Sequence, residues 1–267
     1  MDSMFNSLAG EYDLIIDAGP RITRELPALE RLLDLQPGSR LLDLGCATGS
    51  HSLALARRRC QVTAIDVNPA MIEEAQRRDT KSIAAFHAIS LSRAADLWPR
   101  SFDAIICLGN TYPQIVHAEM ENTDGRHEYA ANPDSVTASQ VRRLLKPGGR
   151  FIGQMINPEW VAAASARCLV VRDIPPAAGI GRRLFIRIFR VTGGGLELTI
   201  TRLEETIPAQ WSRQVMVERM ARIDAGALRR QLTEAGFTDP ELWSGYLKEP
   251  FLPDASGALV WRCSAGA

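Results

Sequence analysis

The stretch LLDLGCATGSHSLALA, residues 41–56, joins a short apolar run to a proline-free helical pattern through a turn of small residues. A chain that passes so quickly from a buried strand into a helix belongs in a βα unit, with helices covering a parallel sheet. The alternation repeats. Strands are expected at 40–45, 61–67, 83–90, 102–109 and 150–156, and helices at 20–35, 50–59, 69–79 and 135–146. Pro69 suits the first turn of its helix, and the PGG at 147–149 stops the last one. Pro27 is expected near a helix start or kink.

The pattern changes after residue 157. RRLFIRIFRVTGGGLELTITRLEE, residues 182–205, reads as two alternating strands around a glycine turn, an antiparallel hairpin. A helix at 223–237 and strands at 241–247 and 258–264 then resume the α/β pattern. The organisation expected is a helical N-terminal cap (1–36), a core in two parts (37–157 and 222–267) and an inserted lid or substrate segment (158–221).

Lys plus Arg and Asp plus Glu are equal at 31 each, so no overall basic field favours nucleic acid or an anionic membrane. No apolar run reaches the roughly 18 residues of a membrane span. MDSMFNSLAGEYD lacks the basic flank and apolar stretch of a secretory signal. The five cysteines are scattered without a CxxC pair, which suits a reduced, cytoplasmic setting. The partner expected is a small molecule, with neither nucleic acid nor membrane involved, and a homo-oligomer is compatible with the sequence.

The turn at 45–49 lets backbone approach a ligand closely, and the helix behind it offers unpaired N–H groups. It reads GCATGS and lacks the glycines of a dinucleotide turn, which argues against a nicotinamide oxidoreductase. Asp66 ends the second strand, where a carboxylate accepts hydrogen bonds from ribose hydroxyls. Its competing role is a helix N-cap, for which Asn68 is also available. Turn and acid together indicate a nucleoside ligand without pyrophosphate.

LLDLGCATG, VTAIDVNPAMIEEA, FDAIICLGN and LLKPGGRFI, in order over residues 40–157, resemble the successive motifs of the class I S-adenosylmethionine-dependent methyltransferases. The resemblance implies a Rossmann-like seven-stranded sheet with its last strand antiparallel. S-adenosyl-L-methionine is then the implied cofactor. Its methionine part would meet Gly45, Cys46, Ala47 and Gly49, and its ribose Asp66, with Val67 and Leu108 alongside. Asp43 would position the turn and the cofactor's amino group, or cap the loop's own N–H groups. Where the family often has an acid for adenine, this chain has Ser90, so Ser90 or the Leu91 backbone would substitute.

CLGNTYPQ and EYDLIIDAGPRITRE are similar to segments of the glycine and sarcosine N-methyltransferases. That group has an arginine after its fifth strand that holds the acceptor's carboxylate. Here FIGQMINPEW offers Gln154, Ile156 and Asn157 instead. N-methylation of a small amine or amino-acid-like acceptor is expected, with O- or C-methylation of a natural-product intermediate as the alternative. A non-catalytic nucleoside-binding module is the alternative of another class. Asn110, Tyr112 and Tyr12 are candidates to orient the acceptor, and His117 is the candidate base for an alcohol. Asn110 could equally be a turn residue, and Tyr112 could pack the lid. Arg24, with Arg21 as its neighbour, is the candidate for the cofactor carboxylate. The stretch 117–129 holds His117, Glu119, Glu121, Asp124, His127 and Glu128 without a recognised ligand spacing. It is expected to be a solvated active-site loop, and no metal is expected.

Overall fold

The computed structural model describes residues 8–122, 134–164, 166–176, 180–207 and 209–266. Asp124, His127 and Glu128 lie outside them. After a short 3-10 turn, Ala9–Glu11, come α1 (Tyr12–Ile16) and α2 (Ala18–Leu33), separated by Asp17 in the left-handed region. The α/β elements follow: β1 (Arg40–Leu44), α3 (Ser50–Arg57), β2 (Gln61–Asp66), α4 (Pro69–Arg78), β3 (Ala84–Ala88), α5 (Leu91–Leu97), β4 (Phe102–Cys107), α6 (Thr111–Asn122), α7 (Asp134–Leu144) and β5 (Leu145–Ile156). Next are α8 (Pro158–Ala162), β6 (Arg167–Ile174), β7 (Arg183–Thr192), β8 (Gly195–Ile207) and β9 (Gln210–Met220). The chain closes with α9 (Ala225–Glu234), β10 (Glu241–Trp243) and β11 (Ala258–Ser264).

Seven strands form one sheet in the order β10-β11-β5-β4-β1-β2-β3. Only β11 runs against the rest, pairing antiparallel with both β5 and β10. The α/β class, the Rossmann-like seven-stranded sheet and its antiparallel last strand are therefore as the sequence implied. Period-two alternation divides the strands between two cores. Leu42, Ile105 and Phe151 face one core, with Leu91, Val116, Val141 and Leu228 from α5, α6, α7 and α9. Leu41, Ile106 and Ile152 face the other, with Leu29, Leu53 and Ile72 from α2, α3 and α4.

Two local elements differ from expectation. Pro27 neither starts α2 nor ends it; the helix runs through it, forgoing one N–H of the ladder. Residues 117–122, expected within a solvated loop at 117–129, belong instead to the helix α6, which has Pro113 in its first turn, where a missing N–H costs nothing. Tyr112 and Val116, one helical turn apart, are buried on α6.

The inserted hairpin proves to be the centre of a four-stranded antiparallel sheet, β6-β7-β8-β9. Its core-facing residues include Phe185, Phe189, Leu198, Ile200 and Met216, which meet Leu8 and Ile15 of the N-terminal segment. Glu11 ties this sheet down by ion pairs to Arg183 and to Arg202 Nε, the latter at 2.9 Å. The segment from Leu8 to Ile16 thus packs under the small sheet, while α2 packs on the large sheet beside α3.

Candidate active site

β1, β2 and β4 end at one edge of the large sheet, under the small sheet. Two adjoining cavities open there, of about 490 and 500 Å³, sharing Tyr12, Ile16, Gly109, Asn110, Arg187 and Phe189 as common wall.

The first cavity is built on the glycine turn. Gly45, Ala47 and Gly49 all have positive φ, at 73°, 48° and 74°. A Cβ on Gly45 would collide with the Thr111 side chain, so only glycine lets β1 and α6 approach this closely. Ala47 takes the left-handed conformation despite its Cβ, and the Asp66 carboxylate holds it there by accepting from the Ala47 N–H at 3.0 Å. The other Asp66 oxygen accepts from the Asn68 N–H at 2.9 Å. Asn68, not Asp66, caps α4, accepting from Ala70 N–H at 2.9 Å. Burial raises the Asp66 carboxyl, and hydrogen bonds from the Asn68, Ala47 and Val67 N–H groups counter that rise.

Asp43 sits behind the turn, buried, accepting from the Ser52 hydroxyl at 2.5 Å. It therefore fastens the start of α3 to β1. Burial raises its carboxyl, opposed by the Ser52 hydrogen bond. Asp13 of α1, which the sequence reading passed over, braces the turn from outside: its carboxylate accepts from the hydroxyls of Thr48 and of Ser50 (2.8 Å) and pairs with Arg78 at 2.7 Å. The signal available was an acid one residue after Tyr12 in a segment already tied to the site.

Of the predicted residues, Tyr12, Gly45, Ala47, Asp66, Val67, Ser90, Leu91 and Asn110 line the first cavity. Its far end is apolar, with Met71, Ile89 and Leu91 around the Ser90 hydroxyl, which caps α5. Cys46, Gly49 and Leu108 stand behind the wall and do not line it. Burial, with Asp43 and Asp66 nearby, pushes the Cys46 thiol well up, so it stays protonated.

Asn110 holds a positive φ of 74° and its side-chain oxygen accepts from the Ile156 N–H at 2.6 Å. The carbonyl thus staples β5 to β4, which leaves the amide NH₂ for a ligand. Gln154 likewise accepts from the Gly109 N–H at 3.0 Å. Burial raises the Tyr12 phenol, so it enters the site as a neutral hydroxyl.

Two catalytic candidates are removed from the site. Tyr112 is fully buried under α6, against Phe151 and Trp261, with its hydroxyl donating to Gln231 at 3.1 Å. One residue's rotation along the helix separates it from Thr111, which does reach the cavity. Tyr112→Phe is accordingly expected to lower stability by about 1 kcal/mol and leave methyl transfer at the wild-type rate. Urea unfolding beside an activity assay checks this, and a large loss of rate would return Tyr112 to the site. His117 faces Glu121 at 3.4 Å and lines neither cavity.

Arg24 touches the rim of the second cavity, but its side chain is 72% exposed. Arg21 takes the interior position. Its Nε donates to Glu25 at 3.0 Å, and Glu25 in turn meets His51 Nε2 at 3.0 Å. That chain fixes the Arg21 guanidinium between α3 and Gly109. The two arginines are one helical turn apart, and only the packing of α2 distinguishes them.

The chain belongs to the methyltransferase domain family, whose model matches residues 35–177. Its fold is that of solved S-adenosylmethionine-dependent methyltransferases, as the motifs and the strand order implied. Among curated relatives it is 33% identical over 132 residues to the ubiquinone biosynthesis O-methyltransferase of Xanthomonas campestris pv. campestris (strain B100), covering 49% of this chain and 48% of that one. The corresponding enzyme of Dechloromonas aromatica (strain RCB) is 32% identical over 122 residues, 45% of each chain. The chain thus spans about half the length of the curated relatives it matches. In fold it is similar to an S-adenosylmethionine-dependent methyltransferase from Clostridium acetobutylicum ATCC 824, with TM-score 0.70, 14% identity and 98% and 99% of the two chains covered. It is also similar to the sugar N-methyltransferase KedS8 from Streptoalloteichus sp. ATCC 53650, with TM-score 0.61, 20% identity and 96% and 93% covered. Among the described residues no helix is long and apolar enough to cross a membrane.

The first cavity fits the cofactor on its own terms. It offers turn backbone that a side chain would obstruct, a carboxylate at the strand tip, and an apolar slot with a hydroxyl at its end. Asp66 would hold the ribose and Gly45 and Ala47 the methionine part, and Arg21 would meet its carboxylate from the adjoining second cavity, across Gly109.

Proposed function

We propose that this enzyme methylates the nitrogen of a small amine or amino-acid-like acceptor, in the manner of the glycine and sarcosine N-methyltransferase group. The observation that carries the reading is the wall of the first cavity away from the turn. Glu119 of α6 and Glu218 of β9 line it, while none of its described lining residues is a histidine. Burial raises both carboxyls, opposed at Glu119 by a hydrogen bond with Gln140 and aided at Glu218 by the charge of Glu121. Such groups attract an ammonium and take its proton, leaving the nitrogen lone pair to attack. Bound S-adenosylmethionine supplies an electrophilic methyl on its sulfonium. The protein's part is to aim the nitrogen along the line of transfer and exclude water. The Tyr12 hydroxyl and the Asn110 NH₂ face that junction and serve as its orienting donors. The small sheet closes the site from above, so residues 158–221 govern acceptor choice in this reading. A cytoplasmic setting and a homo-oligomer belong to the same proposal.

A second reading is O-methylation of a hydroxylated aromatic. It is favoured by the O-methyltransferase names of the curated relatives and by the apolar wall of Ile15, Ile115, Phe189, Leu198 and Ile200. Incubation with methyl-labelled cofactor and a panel of amines, amino acids and phenols separates the two. Label is expected in N-methyl products; label in phenol ethers alone would replace the first reading with the second.

A further inference from the structure

The small sheet carries an arginine that the transfer chemistry above does not use. In β7, Arg183, Phe185, Arg187 and Phe189 fall on one face at period two. Both phenylalanines are buried, and Arg183 is engaged by Glu11. Arg187 reaches the common wall of the two cavities, beside Tyr12 and Asn110. Its Nε is buried and without a hydrogen-bond partner, and no carboxylate of the described residues pairs with it.

The other arginines lining the second cavity have carboxylate partners. Arg21 pairs with Glu25 at 3.0 Å and Arg172 with Asp17 at 2.9 Å. Arg172 nonetheless keeps its own Nε buried and unbonded. Burial pushes the Arg187 guanidinium below its ordinary range, and the charges of Arg172 and Arg21 add to this while Tyr12 opposes it. A buried guanidinium without a counter-charge weakens the fold that holds it, and an anion relieves the penalty. In the reading above the cofactor's carboxylate falls to Arg21, which the Glu25–His51 link anchors on the glycine-turn side. Arg187 enters from the opposite layer.

We infer that Arg187 is the anchor for an anionic group of the methyl acceptor, a carboxylate seated on its guanidinium fork at the junction of the two cavities, with Arg172 Nε as flanking donor. This inference rests on the N-methylation reading and deepens it. A carboxylate held by Arg187, with an ammonium drawn toward Glu119 and Glu218, makes the acceptor an amino carboxylate. The guanidinium comes from the small sheet, whereas FIGQMINPEW after β5 supplies none.

The test pairs each acid with its neutral amide: β-alanine with β-alaninamide, p-aminobenzoate with p-aminobenzamide, and p-hydroxybenzoate with p-hydroxybenzamide. Wild type and the variants Arg187→Met and Arg187→Lys are compared. Turnover is followed as S-adenosylhomocysteine formed, cofactor binding by calorimetry, and stability by thermal unfolding. Wild type is expected to favour the acids by roughly 10- to 100-fold in kcat/KM, the size of one charge-assisted contact. Arg187→Met should abolish the preference while holding cofactor affinity within about threefold, and Arg187→Lys should retain part of it. Arg187→Met should also melt no lower than wild type, because a merely structural arginine would lower the melting point and a ligand-binding one without a carboxylate partner among the described residues would not. Tenfold weaker cofactor binding in Arg187→Met, with the acid preference intact, would reassign the residue to the cofactor and overturn the inference. Equal use of acids and amides by wild-type enzyme would also overturn it while leaving N-methylation standing. If only the hydroxybenzoyl pair is methylated, N-methylation falls, and the preference within that pair decides the anchor separately.

Discussion

Asp66→Ala is expected to weaken S-adenosylmethionine binding by roughly 30-fold to 1,000-fold. One or two hydrogen bonds to a charged group, at about 1.5 to 3 kcal/mol each, amount to about 2 to 4 kcal/mol and hence to that ratio. The structure gives the loss a second source. The same carboxylate fixes Ala47 in a left-handed conformation by accepting its N–H at 3.0 Å. Without it the turn that would cradle the methionine part is free to relax. The competing role of helix cap is already taken, since Asn68 accepts from the first N–H groups of α4. At saturating cofactor the transfer rate should fall far less, because the ribose hydroxyls carry no changing charge in the transition state. Calorimetry with the cofactor and its demethylated product, beside kcat at saturation, checks both halves. Wild-type affinity in the variant would remove Asp66 from the ribose site.

The parts of this molecule that could be read in advance are those where one local rule acts alone. Alternation of strand and helix, with glycines that must take positive φ at 45 and 49, defines a βα unit without reference to the rest of the chain. The parallel strands β1 to β5 followed from it, while the seven-strand count and the antiparallel last strand came from the family resemblance. β6 and β9 came from neither, because a sheet with one open face mixes charged and apolar residues on that face and blurs the period. Val215 and Val217 are exposed beside Arg213 and Arg219. α6 was hidden by its acidic residues, which read as solvated loop although Tyr112, Pro113 and Val116 are buried on it. At the site, residue type was legible but direction was not. Tyr112 and Thr111 are adjacent in sequence and point to different sides of α6; Arg21 and Arg24 share a helix, and contacts from α3 set their exposure. Arg187 had a signal of its own, an arginine on the same period-two face as two buried phenylalanines, and it became informative only once a cavity lay beneath that face.

Replacing Glu25 by Gln should lower unfolding stability by about 3 to 5 kcal/mol near neutral pH, the cost of breaking a buried ion pair from one side. The Glu25 side chain is 6% exposed, and Arg21 and His51 at 16% and 11% are held against it. Without the carboxylate, the Arg21 charge would remain in a site that water barely reaches. Burial alone would raise the Glu25 carboxyl, but the His51 hydrogen bond and the Arg21 charge outweigh it and leave it below the usual glutamate range. Its folded value is thus lower than its unfolded one. The stability it contributes is complete above the usual glutamate range and is lost as pH falls through the lowered folded value. The gap between wild type and Glu25→Gln is therefore expected to be widest near neutrality and to close in strong acid. Urea midpoints followed from about pH 7 down to about pH 3 test this. Cofactor binding supplies an independent readout: with its anchor to α3 gone, Arg21 can leave Gly109, so affinity should fall in Glu25→Gln even where the protein remains folded. A variant that unfolds at the wild-type urea midpoint and binds cofactor normally would show that α2 and α3 are held together by their apolar stripe of Leu29, Leu53 and neighbours, and that Arg21 needs no anchor.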